Sequence, residues 1–131
     1  MEDVRVIKID EDLNLVFGYA YVAITKSGEQ VLDHSGEFIE GADLEEAAYA
    51  FTLEFRDSGV MHEGEAVGKL VESFFVSPEK LQKMGIESNS QMVGWWVGFF
   101  IEDDGIFAKV KDGTYSMFSI QGSATRESVP V

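Results

Sequence analysis

The sequence predicts a β-rich α+β fold, a partly closed antiparallel barrel with one longer helix and two short ones, and three observations predict it. Most of the chain consists of short segments of strand-forming residues separated by polar turns. One stretch alone, about 43–56, keeps a 3.6-residue apolar period for several turns. Two further short stretches open on helix-capping residues and close on glycine.

Val4 to Ile9 reads as a strand that turns at Asp10-Glu11-Asp12. Leu13 to Ile24 is a longer strand in which Gly18 marks a bulge or bend. Lys26-Ser27-Gly28-Glu29 turns the chain into Gln30 to Asp33, and Asp33 to Glu37 is a polar loop entering Phe38-Ile39. Asp43 stands three residues before Glu46, the spacing of a capping box. Leu44, Ala47, Ala48, Phe51 and Phe55 then form one apolar stripe, with Glu45 and Glu54 off it. Val60 to His62 is a short strand, and Gly68 to Val76 a longer one with Leu70, Glu72, Phe74 and Val76 on one face. Ser77-Pro78 starts a short helix that stops near Gly85. Met92 to Ile101 is apolar on both faces, which predicts a central strand, or one covered on its second side by a helix or a partner subunit. Asp103 caps a helix with Ile106, Phe107 and Val110 inward, ended by Gly113. The last strand places Phe118 and Ile120 on one side and Met117, Ser119 and Gln121 on the other.

Composition narrows the function. A chain of 131 residues makes one domain. A net charge of −14 tells against nucleic acid and anionic lipid, and fits a protein that repels its own copies or one that meets basic partners. No cysteine means no disulfide, thiolate nucleophile or cysteine-bound metal. The charged first residues lack a signal-peptide core, and the longest apolar run is too short to span a bilayer. The expectation is a protein not inserted in a membrane.

Only two histidines, His34 and His62, are available as general bases. His62 opens into a Gly- and Glu-rich loop, and Ser119 is held on a strand just before a glycine. A serine nucleophile needs an imidazole within hydrogen-bond reach, itself oriented by a third group. A metal site built from Asp33, His34, Glu37 and His62 is a competing reading, without the spacing of a dedicated loop.

His62, then Gly68-Lys69-Leu70-Val71-Glu72-Ser73-Phe74, Gly94-Trp95-Trp96-Val97-Gly98-Phe99, Asp103-Asp104, Val110-Lys111-Asp112-Gly113 and Phe118-Ser119-Ile120-Gln121-Gly122, together resemble the tailed-phage prohead serine proteases of the XkdF type. Asp33 to Ile39 and the helix after Asp43 fit the same pattern, so the resemblance runs from about Val31 to Ala124. It implies an endopeptidase that acts inside the assembling procapsid, in the host cytoplasm, on phage scaffold and capsid-protein segments. It implies no cofactor, and a fold shared with the herpesvirus assemblins. Carried over, Ser119 is the nucleophile and His62 the general base. Assemblins place a second histidine after the serine; this chain has none, so an acid replaces it or the site is a dyad. Glu72 is the first candidate because a carboxylate on an otherwise apolar strand face needs a partner; Asp33 and Glu127 follow. Ser73 is a rival nucleophile, although as Glu72's neighbour it points to the other face. Backbone N–H groups of Gln121 to Ser123, or Arg126, would supply oxyanion donors. The short tail after Ser119 suggests a self-cleaved or truncated C-terminus, and the apolar strand 92–101 leaves room for a homo-oligomer. The alternative is an inactive acidic assembly module with Trp95-Trp96 at its partner interface.

Overall fold

The computed structural model describes residues 3–32, 36–55, 60–62 and 65–120; within these, 3, 54–55, 60–62, 65–66 and 119–120 are described by backbone alone. Seven strands form one antiparallel sheet. In chain order they are β1 (Asp3–Arg5), β2 (Lys8–Asp10), β3 (Leu15–Ile24), β4 (Val60–His62), β5 (Glu65–Val76), β6 (Val93–Ile101) and β7 (Met117–Ile120). The helices are α1 (Gly41–Phe55), α2 (Pro78–Lys83) and α3 (Asp104–Lys111). The α+β class and its three helices are as the sequence predicts.

The sheet is not closed into a barrel. The strand order is β1-β7-β4-β5-β6-β3-β2, and no ladder joins the outer strands. The N-terminal segment, which the sequence presents as one strand, departs from that reading. It splits into two pieces that pair at opposite margins, β1 with β7 and β2 with β3. Between them Val6 N–H donates to the Ser116 carbonyl at 2.9 Å and Ile7 N–H to the Phe17 carbonyl at 2.8 Å. This crossing brings the Arg5 backbone onto β3, where a Cβ at Gly18 would lie 2.1 Å from the Arg5 carbonyl oxygen. Gly18 therefore answers a close backbone approach, whereas the register shifts of β3 fall later, between Tyr19 and Tyr21 and between Val22 and Ile24.

β6 is central, between β5 and β3, as its two apolar faces require. Trp95, Val97, Phe99 and Ile101 enter the main core with Val4, Val16, Phe51, Phe107, Val110 and Phe118. α1 covers this face, with the Phe51 ring edge-on to Trp95 at 5.3 Å between centroids. Burying a side chain such as Phe51 or Leu44 contributes about 2–3 kcal/mol each. On the opposite face Trp96 is half-buried, stacked on Phe17 at 6.0 Å and edge-on to Tyr19 at 5.0 Å. The tryptophan pair is thus divided by strand alternation, and Trp95 belongs to the core.

Helix starts follow local chemistry. The Ser77 side chain accepts from Lys80 N–H and Pro78 occupies the first turn of α2; the Asp103 side chain accepts from Ile106 N–H at 3.0 Å to open α3. The expected Asp43 cap is corrected: α1 begins two residues earlier, Asp43 lies in its first turn, and Leu44 N–H donates to the Glu40 carbonyl. An acidic side chain there still complements the helix N-terminus.

Candidate active site

β7 is framed on both sides. Against β1 the pairs are Asp3 with Ser119, Val4 with Phe118 and Arg5 with Met117. Against β4 they are Val60 with Ile120 and Met61 with Ser119. Val4 and Phe118 are both 2% exposed, so the alternate residues of these strands anchor the patch in the core. Ser119 thus occupies the middle strand of a three-strand patch, and His62 follows its register partner Met61. One strand spacing and one residue rise place the two backbones about 6 Å apart. Positions one step apart in a regular ladder face opposite sides of a sheet. β4 itself is regular: it keeps register with β7 at Val60 and Met61, and the shift against β5 between these residues leaves Val67 of β5 as the extra residue. Positions 62 and 119 are therefore adjacent along the ladder and one step out of phase.

Glu72 is not brought to this patch. His62 pairs with Glu65 at the start of β5, and Glu72 lies seven residues further along, at about 3.3 Å each roughly 20 Å away. It also does not share a face with Leu70. Leu70 pairs with Phe99 while Glu72 pairs with Gly98, so Val71 is an extra residue; Leu70 packs on the core and Glu72 is exposed. The Glu72 carboxylate has its partner elsewhere, accepting from the Trp96 indole N–H at 2.9 Å. The sequence signal behind Glu72, a carboxylate on an apolar strand face, is undone by this bulge.

Ser73 is also engaged in packing. Its Oγ accepts from the buried Trp95 indole N–H at 2.9 Å and lies 3.0 Å from Thr52 Oγ1, which itself donates to the Ala48 carbonyl at 2.9 Å. A hydroxyl carries one proton, so with Thr52 donating to Ala48 the Ser73 proton goes to Thr52. The relay from Trp95 through Ser73 and Thr52 to α1 satisfies each member and clamps α1 to the sheet.

Asp33, His34, Glu127, Arg126 and the backbone of Gln121 to Ser123 lie outside the described residues. Of the competing metal set, Glu37 is exposed and His62 is described by backbone alone. Among the described residues no group of three or more His, Asp or Glu side chains is gathered as a metal would require.

The sequence reading missed a second polar cluster. Lys80 Nζ of α2 donates to Tyr49 Oη at 2.6 Å and to Glu45 Oε2 at 3.2 Å, and Tyr49 Oη donates to the same carboxylate at 2.7 Å. The Tyr49 hydrogen bond holds the Glu45 carboxyl below its usual range despite some desolvation, with Lys80 adding to the effect. Desolvation opposes the Lys80 charge, but its bonds to Tyr49 and Glu45 outweigh that and raise its pKa. The signal was present: Glu45 and Tyr49 are four apart, and so adjacent on a helix.

Residues 3–128 match a family model described as "Putative phage serine protease XkdF". Two relatives come from Bacillus subtilis (strain 168). The "Uncharacterized protein YqbD" is 27% identical over 125 residues, 94% of this chain and 36% of the relative. The "Phage-like element PBSX protein XkdF" is 29% identical over 115 residues, 87% of this chain and 38% of the relative. The chain therefore spans little more than a third of the length of these relatives. No solved structure matches.

Proposed function

Because the chain belongs to the XkdF family of phage serine proteases, we propose that it is a serine endopeptidase of procapsid maturation, with Ser119 as nucleophile and His62 as general base. The observation that carries the reading is the register of β4 and β7. Residues 57 apart in sequence fall on neighbouring strands, His62 directly after the residue opposite Ser119. In this role the His62 imidazole takes the Ser119 hydroxyl proton as the oxygen attacks the scissile carbonyl. It returns that proton to the leaving amine, and water then releases the acyl group by the same exchange. No Glu72 step is part of this scheme, since the strand geometry holds it some 20 Å along β5. The site works as a dyad or draws its third group from elsewhere in the chain.

The substrates in this reading are phage scaffold and capsid-protein segments, met inside the assembling procapsid in the host cytoplasm. The net charge of −14 supports basic segments over acidic ones. The experiment is co-expression with the cognate capsid and scaffold proteins, followed by intact-mass spectrometry. Wild type and Ser73→Ala are expected to cleave, and Ser119→Ala and His62→Ala to yield no products. Cleavage surviving Ser119→Ala would mean a different nucleophile. Absence of cleavage by wild type within assembled particles would leave an assembly module in place of an enzyme.

A further inference from the structure

In β3, Tyr19 pairs with Trp96 and Tyr21 with Trp95, which leaves Ala20 as an extra residue. Ala20 and Tyr21 therefore both stand on the side of the sheet that α1 covers, Ala20 in the main core and Tyr21 packed near Leu44. The alanine side chain is too short to fill the space under the helix, and Ala47 of α1 leaves its side of that space open as well. A cleft of about 220 Å³ results, lined by Ala20, Tyr21, Trp95, Ile39, Leu44 and Ala47, with Asp43 beside them. Its deep wall is apolar, since Trp95, Ala20 and Leu44 are all buried. Asp43 and Ala47, one turn apart on α1, are exposed, so the cleft opens to solvent between them.

This cleft is separate from the candidate active site. Ile120, Val60, Gly68 and Ile101 share one level across the sheet. Trp95 lies six residues before Ile101 along β6, at about 3.3 Å each roughly 20 Å from that level. Sites for whole small molecules usually hold about 300–1,000 Å³, so this one has room for a single side chain. The Tyr21 and Trp95 rings on its wall favour an aromatic one, met edge-on or offset. The rim is acidic. Glu40 and Glu46, each three residues from Asp43, are exposed like it, and from Glu37 to Glu46 the chain carries no lysine or arginine.

A second copy of this chain is a poor occupant, because two chains of net charge −14 repel. An aromatic residue flanked by basic ones satisfies the apolar wall and the acidic rim together. We propose that the cleft between α1 and β3 docks a basic segment of a partner polypeptide. One aromatic side chain of that segment inserts against Trp95 and Leu44, and lysine or arginine on either side of it meets Asp43, Glu40 and Glu46. The site holds its partner away from Ser119, so the inference does not depend on the protease reading.

The test uses the full chain with isotope-labelled methyl groups. The probe is a capped synthetic peptide of about ten residues, glycine and serine around a central lysine-phenylalanine-lysine. In one twin alanine replaces the phenylalanine; in the other glutamates replace the lysines. The plain peptide is expected to shift the Ala20, Ile39, Leu44 and Ala47 methyl signals saturably. Each twin is expected to bind at least about tenfold more weakly, the first through lost apolar burial and the second through like charge at the rim. Ala47→Leu fills the mouth from an exposed position and is expected to weaken the plain peptide at least about tenfold, with the Val16 and Ile101 methyl signals unmoved. Asp43→Lys is expected to weaken it to a similar degree. Binding that leaves the cleft methyl signals in place, a twin that binds as well as the plain peptide, undiminished binding by Ala47→Leu, or no saturable shift would each overturn the proposal. Cleft signals that move with protein concentration alone would put a second copy there and overturn it too.

Discussion

Replacing Gly18 by alanine perturbs the feature that keeps the N-terminal segment attached to both margins of the sheet. The added Cβ would lie 2.1 Å from the Arg5 carbonyl oxygen, 3.2 Å from its carbon and 3.0 Å from Val4 Cγ1. Carbon and oxygen in ordinary contact sit about 3.3 Å apart, so roughly 1 Å of separation is needed. The severe contact is with the Arg5 backbone, on a strand fixed by three ladder pairs to β7 and by the Ile7 bond to Phe17. Moving the Val4 side chain would not relieve it. Overpacking of this kind costs about 1–3 kcal/mol, and backbone obstruction puts it near 3. The lower chain entropy of alanine in the unfolded state returns less than 1 kcal/mol. The net loss of about 2–3 kcal/mol corresponds to a Tm drop of about 7–10 °C for a chain of this size. Urea unfolding should show the midpoint falling at unchanged slope, and amide exchange should quicken at Val6 and Ile7. A Gly18→Ala protein within about 0.5 kcal/mol of wild type, with those amides unchanged, would refute the reasoning.

Two more outcomes are expected from the clusters on α1. Ser73→Ala strands the Trp95 indole N–H in the core and should cost about 1–3 kcal/mol in chemical denaturation, while leaving cleavage chemistry intact. Glu45→Gln should change the pH dependence of stability on the acid side. The folded Glu45 carboxyl titrates below its ordinary 4.5, so its contribution is present above that pH and is lost as pH falls through the folded value. Lys80, raised above 10.5, contributes below that pH and loses its contribution as pH rises through its folded value. Both side chains are partly exposed, so the effect is about 0.5 kcal/mol and should shrink in high salt. Wild type and Glu45→Gln unfolding curves that stay parallel between pH 6 and pH 3 would contradict it.

Local chemistry and burial pattern are legible in the sequence alone. Ser77-Pro78 and Asp103 open their helices where single residues put them, because a cap is a hydrogen bond made within three residues of chain. The apolar stripe of α1 is right at Leu44, Ala48 and Phe51, which are buried, while Ala47 is exposed. The central place of β6 follows from its lack of a polar face. The alternation of β7 is right at Phe118.

Pairing across long sequence distances is decided by the tertiary structure. No local signal states that β7 enters between β1 and β4, yet that order puts Ser119 beside Met61 and next to His62. The Glu72 reading fails for a related reason. One extra residue at Val71 shifts the alternation of β5, and a bulge becomes visible only when the partner strand is laid against it. The N-terminal segment reads as one strand because its residues favour extension along its whole length; its division between two margins depends on where β3 and β7 stand in space. Capping, periodicity and charge belong to the sequence, since they act within a few residues or over the whole chain at once. Register and strand order belong to the fold, because they are fixed by contacts between segments that approach one another only as the core forms.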